Sequence, residues 1–153
     1  MASPRPITET QMRLVKPGLK LFTALHVYLY RITGGRFFNR MGGGEICIVK
    51  MTGAKSGQPR EFPLMYVPYK NGIVLVASLA GAPSHPVWYH NLIKHPLFEV
   101  RVGSIAKSLV ARLATEEEKS EVWPLCCRVY PDFQLYQDRT ERDIPVFICA
   151  PMV

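Results

Sequence analysis

Lys55, Ser56 and Arg60 stand close together in the stretch TGAKSGQPR, residues 52–60, in the company of Gly53 and Gly57. Two cations and a hydroxyl can hold a phosphate or carboxylate by charge-assisted hydrogen bonds, and glycines let backbone N–H groups approach the same ligand. This composition predicts an anion cradle; the plainer alternative is a solvated turn, for which K-S-G-Q is equally good chemistry. A second group follows. Ser78, Gly81 and Ala82 end an apolar run, and Trp88, Tyr89 and Asn91 open a helix, which sets N–H groups beside a flat aromatic wall. A third lies in VYPDFQLYQ, where Tyr130, Phe133 and Tyr136 recur at i, i+3 and i+6 on one helical side. Two phenols there can donate to a carbonyl or nitro oxygen. Trp88 as core filler and the tyrosines as a packing stripe are the competing readings.

Several chemistries are excluded by pattern. No GxGxxG follows a strand, and the chain has no P-loop, no GxSxG and no pair of acids flanking a cleft. His85, His90 and His95 are evenly spaced, but no acid lies among them and two of them precede proline, which marks helix borders rather than a ligand face. No metal site is predicted. Cys47 and Cys149 sit in strand-like runs, and Cys126 and Cys127 are adjacent, so neither a CxxC pair nor a zinc spacing is present. The thiols read as reduced, small and buried. Any chemistry must therefore be carried by a cofactor.

The elements that would position these groups follow from period. In 153 residues, 48% apolar and 20% charged, one soluble domain with a real core is expected. Residues 8–33 read as helical, with a break expected at Pro17, and carry a wide apolar face with Lys16, Lys20, Thr23 and Arg31 along one edge. Such a helix either covers the core or rests on a membrane surface or partner. After the glycine-rich GGRFFNRMGGGE the period becomes that of strands: EICIVKM, FPLMYVPY and IVLVASL, then a helix near 86–94, a hairpin of LFEVRVG and SLVARLA, and a last strand IPVFICA. Thr115 and Glu118 form a capping box for a helix running to about Tyr130, with a kink expected at Pro124. About six antiparallel strands with few helices predict a small barrel or strongly curved sheet with helices outside.

Charge is unevenly placed. Residues 1–60 carry ten Lys or Arg against two acids, and residues 61–153 carry nine against ten, within a total of +7. The basic first half predicts a polyanionic partner: nucleic acid, an anionic membrane surface, or a phosphorylated or polycarboxylate small molecule. Nucleic acid is disfavoured, because the basic residues are not interleaved with aromatics along a strand and the tyrosine cluster lies in the acidic half. LFTALHVYLY is too short to cross a bilayer, and the first residues lack the pattern of a secretory signal, so a cytoplasmic location is expected.

Three blocks together resemble the deazaflavin-dependent nitroreductase and quinone reductase family of actinobacteria. They are T-G-x-K-S-G-Q-P-R at 52–60, G-A-P-x-H-P-x-W-Y-H-N-L at 81–92, and Y-P-x-F-x-x-Y-Q-x-x-T-x-R-x-I-P-V at 130–146. The resemblance implies a mainly β, α+β fold, a split β-barrel related to flavin-nucleotide oxidases. It implies coenzyme F-420, an 8-hydroxy-5-deazaflavin with a phosphate and an oligoglutamate tail, as cofactor, and quinones such as menaquinone as acceptors. Carried over residue by residue, the cofactor site would comprise Ala54, Lys55, Ser56, Arg60, Glu61, Phe62, Pro63, Leu64, Met65, Val76, Ala77, Ser78, Leu79, Val87, Trp88, Tyr89, His90, Asn91 and Phe133. Ser78, Tyr130 and Tyr136 would face the acceptor. Members that reduce bicyclic nitroimidazoles can carry tyrosines where this chain has Met65 and Phe133, so quinones are the better-matched acceptors. The expected organisation is a helical segment over 1–40, which either covers the core or makes peripheral contact with the membrane, and a barrel over 41–153. A non-catalytic carrier of deazaflavin or flavin nucleotide is the alternative.

Overall fold

The computed structural model describes residues 5–152. The first four residues of the expected 1–40 segment, and Val153, lie outside the described residues. A helix α1, Glu9–Ile32, opens the chain, capped by Thr8, whose hydroxyl accepts from the Gln11 N–H while the Gln11 side chain accepts from the Thr8 N–H. Strands β1 Arg40–Met41, β2 Gly44–Thr52, β3 Pro59–Met65, β4 Val67–Tyr69 and β5 Gly72–Val76 follow. Then come α2 Val87–Lys94, the hairpin β6 Leu97–Val102 and β7 Ile105–Leu113, helices α3 Glu116–Val129 and α4 Asp132–Asp138, and β8 Val146–Pro151.

Each strand pairing is antiparallel, in the order β1-β2-β6-β7-β8-β5-β4, with β3 on the opposite edge of β2 from β6. The sheet curls into a half-barrel. Its inside is filled by Cys47, Val49, Met51, Leu75, Phe98, Val100, Leu109 and Phe147, and α2 plugs the end with Trp88 and Leu92. Its outside is covered in two places. Val74, Val76, Val146 and Ile148 pack against Val122, Cys126 and Phe133 of α3 and α4, and Ile48 packs against Val27 and Tyr30 of α1. β5 and β8 thus give alternate side chains to two different cores, as the pleat requires.

Differences from the expected elements have local causes. FPLMYVPY is two strands, because the chain turns at Tyr66, whose hydroxyl donates to Glu45 at 2.9 Å. IVLVASL stops being strand at Val76 and bends into a short 3-10 turn, Leu79–Gly81. Pro17 and Pro124 break neither helix; both sit at exposed positions, where water can take up the carbonyl that a proline leaves without its partner. At Gly72 an added Cβ would collide with the Cys149 carbonyl of β8, so the β5–β8 pair needs glycine there. The four thiols are free; burial pushes those of Cys126 and Cys149 up to about 12, as suits small apolar fillers.

Candidate active site

A cavity of about 310 Å³ opens at one end of the half-barrel. Its first wall is made by the β2–β3 hairpin, where Ile46 is the register partner of Met65 and Pro63 and Leu64 lie alongside. Gly44 next to Ile46 is needed for Met65, since a Cβ at 44 would run into the Met65 thioether. The second wall is the turn after β5, which contributes Val76, Ser78, Leu79 and Ala80. Leu79 and Ala80 hold φ of 44° and 52°, a left-handed conformation that costs non-glycine residues about 1–3 kcal/mol each and so needs support from its surroundings. The third wall is Trp88 at the start of α2, with Pro86. Pro86 caps that helix, and the indole packs on Phe147 at 5.8 Å between ring centroids.

Tyr130, Phe133 and Tyr136 form the fourth wall. Pro131 and the short α4 fold the three rings together: Tyr130 stands edge-on to Phe133 at 5.1 Å, and the two phenol oxygens are 3.0 Å apart. That shared hydrogen bond, followed by burial, holds the Tyr130 phenol above its ordinary range, so it is a proton-bearing donor at neutral pH. The β1–β2 turn lies against it; Gly42, at φ 57°, leaves no room for a Cβ, which would sit 2.9 Å from the Tyr130 ring.

Ten of the residues named from sequence meet in this cavity: Pro63, Leu64, Met65, Val76, Ser78, Leu79, Trp88, Tyr130, Phe133 and Tyr136. The others lie elsewhere. Ala54, Lys55, Ser56 and Arg60 form the far tip of the β2–β3 hairpin, with Arg60 donating to the Ser56 hydroxyl at 3.2 Å and both cations exposed. From Arg60 to Pro63 the strand advances about 10 Å, at ~3.4 Å per residue. Asn91 is buried and accepts from the Ala54 N–H at 2.8 Å, while Lys94 donates to the Ala54 carbonyl at 2.8 Å, so α2 fixes the base of the tip. Phe62 and Tyr89 pack on the inner core, Ala77 is buried in it, and Val87 and His90 are exposed on α2. Glu61 pairs with Arg31 of α1 at 2.8 Å. Met41, Ile46, Ala80 and Pro86 also line the cavity, and the motif reading did not name them. Ile46 follows from pairing EICIVKM with FPLMYV in register; Met41 has no sequence signal, standing in a two-residue strand among glycines.

Among the described residues β3 pairs with β2 alone, and the run from Glu61 to Met65 is half-buried, so its other edge carries no strand. Pro63 has no N–H, which leaves the Glu61 and Met65 N–H groups as the donors on that edge.

The family model described as F420H(2)-dependent quinone reductase matches residues 22–151. The chain belongs to the F420H(2)-dependent quinone reductase family. It is 34% identical over 128 residues to an F420H(2)-dependent quinone reductase of Mycobacterium tuberculosis, covering 81% of this chain and 86% of that one. A solved structure described as an F420-H2 dependent reductase, FDR-A, shares 40% identity with a TM-score of 0.64, over 68% of this chain and 92% of that one. Another, described as a domain-swapped dimer, shares 35% identity with a TM-score of 0.66, over 82% of this chain and 96% of that one. The fold is accordingly a split barrel, as the resemblance implied. F420H(2)-dependent quinone reductases are enzymes whose hydride donor is reduced coenzyme F-420. The residues present fit that group: the apolar walls of Pro63, Leu64 and Trp88 suit a flat ring system, and the cations at the hairpin tip suit an acidic tail.

Proposed function

We propose that this quinone reductase seats the deazaflavin ring in the cavity and leads its tail along the free edge of β3 to Lys55, Ser56 and Arg60. The observation that carries this reading is that one strand edge connects the cavity to the cationic tip. The N–H groups of Glu61 and Met65, on either side of Pro63, face away from β2 and offer donors to the linking groups, and Trp88 offers a flat wall. Glu61 would repel an acidic tail, and Arg31 offsets its charge. When bound, the reduced coenzyme supplies a hydride from its C5 carbon.

Ser78, Tyr130 and Tyr136 then orient the quinone. One phenol O–H is spent on the other phenol, so Ser78 and the remaining O–H of the pair donate to the oxygen on which negative charge develops. Met65 and Phe133 bring no hydroxyl, so a nitro group would find fewer donors here, whereas a quinone needs an apolar slot and only one or two hydrogen bonds. The test is direct. Protein mixed with reduced coenzyme F-420 and menadione should regenerate the visible absorbance of the oxidised deazaflavin, and Ser78→Ala should slow this by roughly tenfold or more. Tight binding of the coenzyme without turnover would instead support the carrier reading.

The finer placement concerns α1. Leu14, Leu21, Leu25, Tyr28 and Ile32 fall on one side of the helix and are 79, 74, 53, 61 and 61% exposed, with Arg13 and Lys20 along one flank and Lys16 on the opposite face. No helix among the described residues is long and apolar enough to cross a membrane. Residues 1–40 would act as a helical segment lying in the interface of the cytoplasmic face, with the barrel of 41–153 above it, so that a lipid-soluble quinone is met where it partitions. His26, Val27, Tyr30 and Arg31 dock α1 on the barrel, so substitution tests this better than truncation. Leu14→Ser, Leu21→Ser and Leu25→Ser together should abolish sedimentation with vesicles containing anionic lipid and slow a long-chain quinone while sparing menadione. Equal loss for both acceptors would count against it.

A further inference from the structure

Arg142 belongs to the connection between α4 and β8 and does not line the cavity. Its guanidinium reaches the cavity turn with all three nitrogens. Nε donates to the Ala82 carbonyl at 2.8 Å, Nη2 to the Ser78 carbonyl at 2.7 Å, and Nη1 to the Ala77 carbonyl at 3.2 Å. Nη1 also meets His85 Nδ1 at 3.2 Å, and because a guanidinium is only a donor, that ring nitrogen is the acceptor. These carbonyls bracket Leu79 and Ala80, the two residues held at positive φ. Arg139 adds a longer contact to the Ala80 carbonyl at 3.4 Å, from the helix that carries Tyr136.

A turn does not keep two left-handed L-residues, one of them a leucine, in succession unaided. Here the planar fork satisfies the carbonyls on both sides of the strained pair in one geometry, which the point charge of a lysine cannot reproduce. The turn in question supplies Ser78, Leu79 and Ala80 to the cavity. We propose that Arg142 is a positioning residue for quinone reduction, fixing the strained Ser78–Ala80 turn in the shape that presents the Ser78 hydroxyl and the apolar wall behind it to the acceptor. This rests on the reading that the cavity holds the quinone beside the deazaflavin ring, with Ser78 on the acceptor's side.

Two variants test it. Arg142→Lys keeps the charge and removes the fork; Ala80→Gly lets position 80 hold its φ without strain. The first readout is amide hydrogen exchange, followed by NMR on the full chain without coenzyme. In wild type the Gly81 and Ala82 N–H groups bond the Ser78 and Leu79 carbonyls at 2.9 and 3.0 Å. In Arg142→Lys these two amides should exchange about tenfold faster or more while those of β2 and β6 keep their rates. The second readout is kcat with reduced coenzyme F-420 and menadione, which should fall by roughly tenfold to a hundredfold with coenzyme affinity held within about twofold. Adding Ala80→Gly to Arg142→Lys should restore part of both.

Unchanged exchange at Gly81 and Ala82, or equal acceleration across the whole sheet, overturns the proposal. So does the absence of any rescue by Ala80→Gly. A turn that loosens while kcat stays at the wild-type value sinks the acceptor-site reading and leaves the clamp itself standing.

Discussion

The two phenols of Tyr130 and Tyr136 are coupled through one 3.0 Å hydrogen bond, and that bond is the largest cause of the raised Tyr130 pKa. Tyr136→Phe removes it, so Tyr130 should ionise at lower pH than in wild type, visible in an ultraviolet titration of the phenolate. The same variant should lower kcat for menadione by about tenfold or more, since the pair loses the bond that orients its free O–H toward the developing oxyanion. Phe133, between them in sequence, is buried in the outer core and should cost about 3–5 kcal/mol of stability when cut to alanine. At this scale much was legible: the i, i+3, i+6 spacing brought the three rings to one wall. Trp88 both lines the cavity and packs in the inner core, so the two readings of it meet in one residue. Asn91 was legible only as a site residue. The structure shows its side-chain oxygen bonded to the Ala54 N–H, a contact across the fold that spacing along the chain cannot reveal.

Among the elements, α3 carries a clear electrostatic signature at its start. Thr115 and Glu118 cap each other, and Arg112 at the end of β7 grips the Glu118 carboxylate with two nitrogens at 2.7 Å each. Arg112 first, then the Thr115 N–H, pushes this carboxyl down to about 2 from an ordinary 4.5. A depressed folded-state pKa means the unfolded chain binds more protons between those values, so the contribution is complete above about pH 4.5 and vanishes as pH falls toward 2. Wild type should therefore lose Tm over that window more steeply than Glu118→Gln, measured by thermal melts in an acid series. The capping box was readable from Thr115 and Glu118 alone; Arg112 was not, because it arrives from a strand. The periods of two and of 3.6 found the main strands and helices. They failed at β1 and at the Leu79–Gly81 turn, where backbone shape is set by Gly42, Gly81 and the arginines of the following connection rather than by any apolar pattern.

For the whole molecule, the uneven charge of the sequence becomes a cationic hairpin tip and a cationic helix flank, both exposed. Lys55→Ala with Arg60→Ala should weaken coenzyme binding by about 1–3 kcal/mol, the lower end reflecting solvent exposure, and should flatten its dependence on salt, read by quenching of Trp88 and Trp123 fluorescence. An unaltered salt dependence would detach the tip from the acidic tail. The sequence showed a curled antiparallel sheet with helices outside it, but not which strand keeps a free edge, because that depends on long-range pairing of β8 with both β5 and β7. β5 and β8 carry a consequence of their own. Being greasy above and below, they lack the amphipathic asymmetry that tells an ordinary strand which way up to lie, and sliding either by one position would trade one oily residue for another at little cost in solvation. What forbids the slip is shape, and shape is strictest in this pair at Gly72 under the Cys149 carbonyl. A methyl group added there should therefore do more than loosen the barrel: Gly72→Ala should yield a mixture of misaligned forms, seen as doubled amide signals for both cores at once.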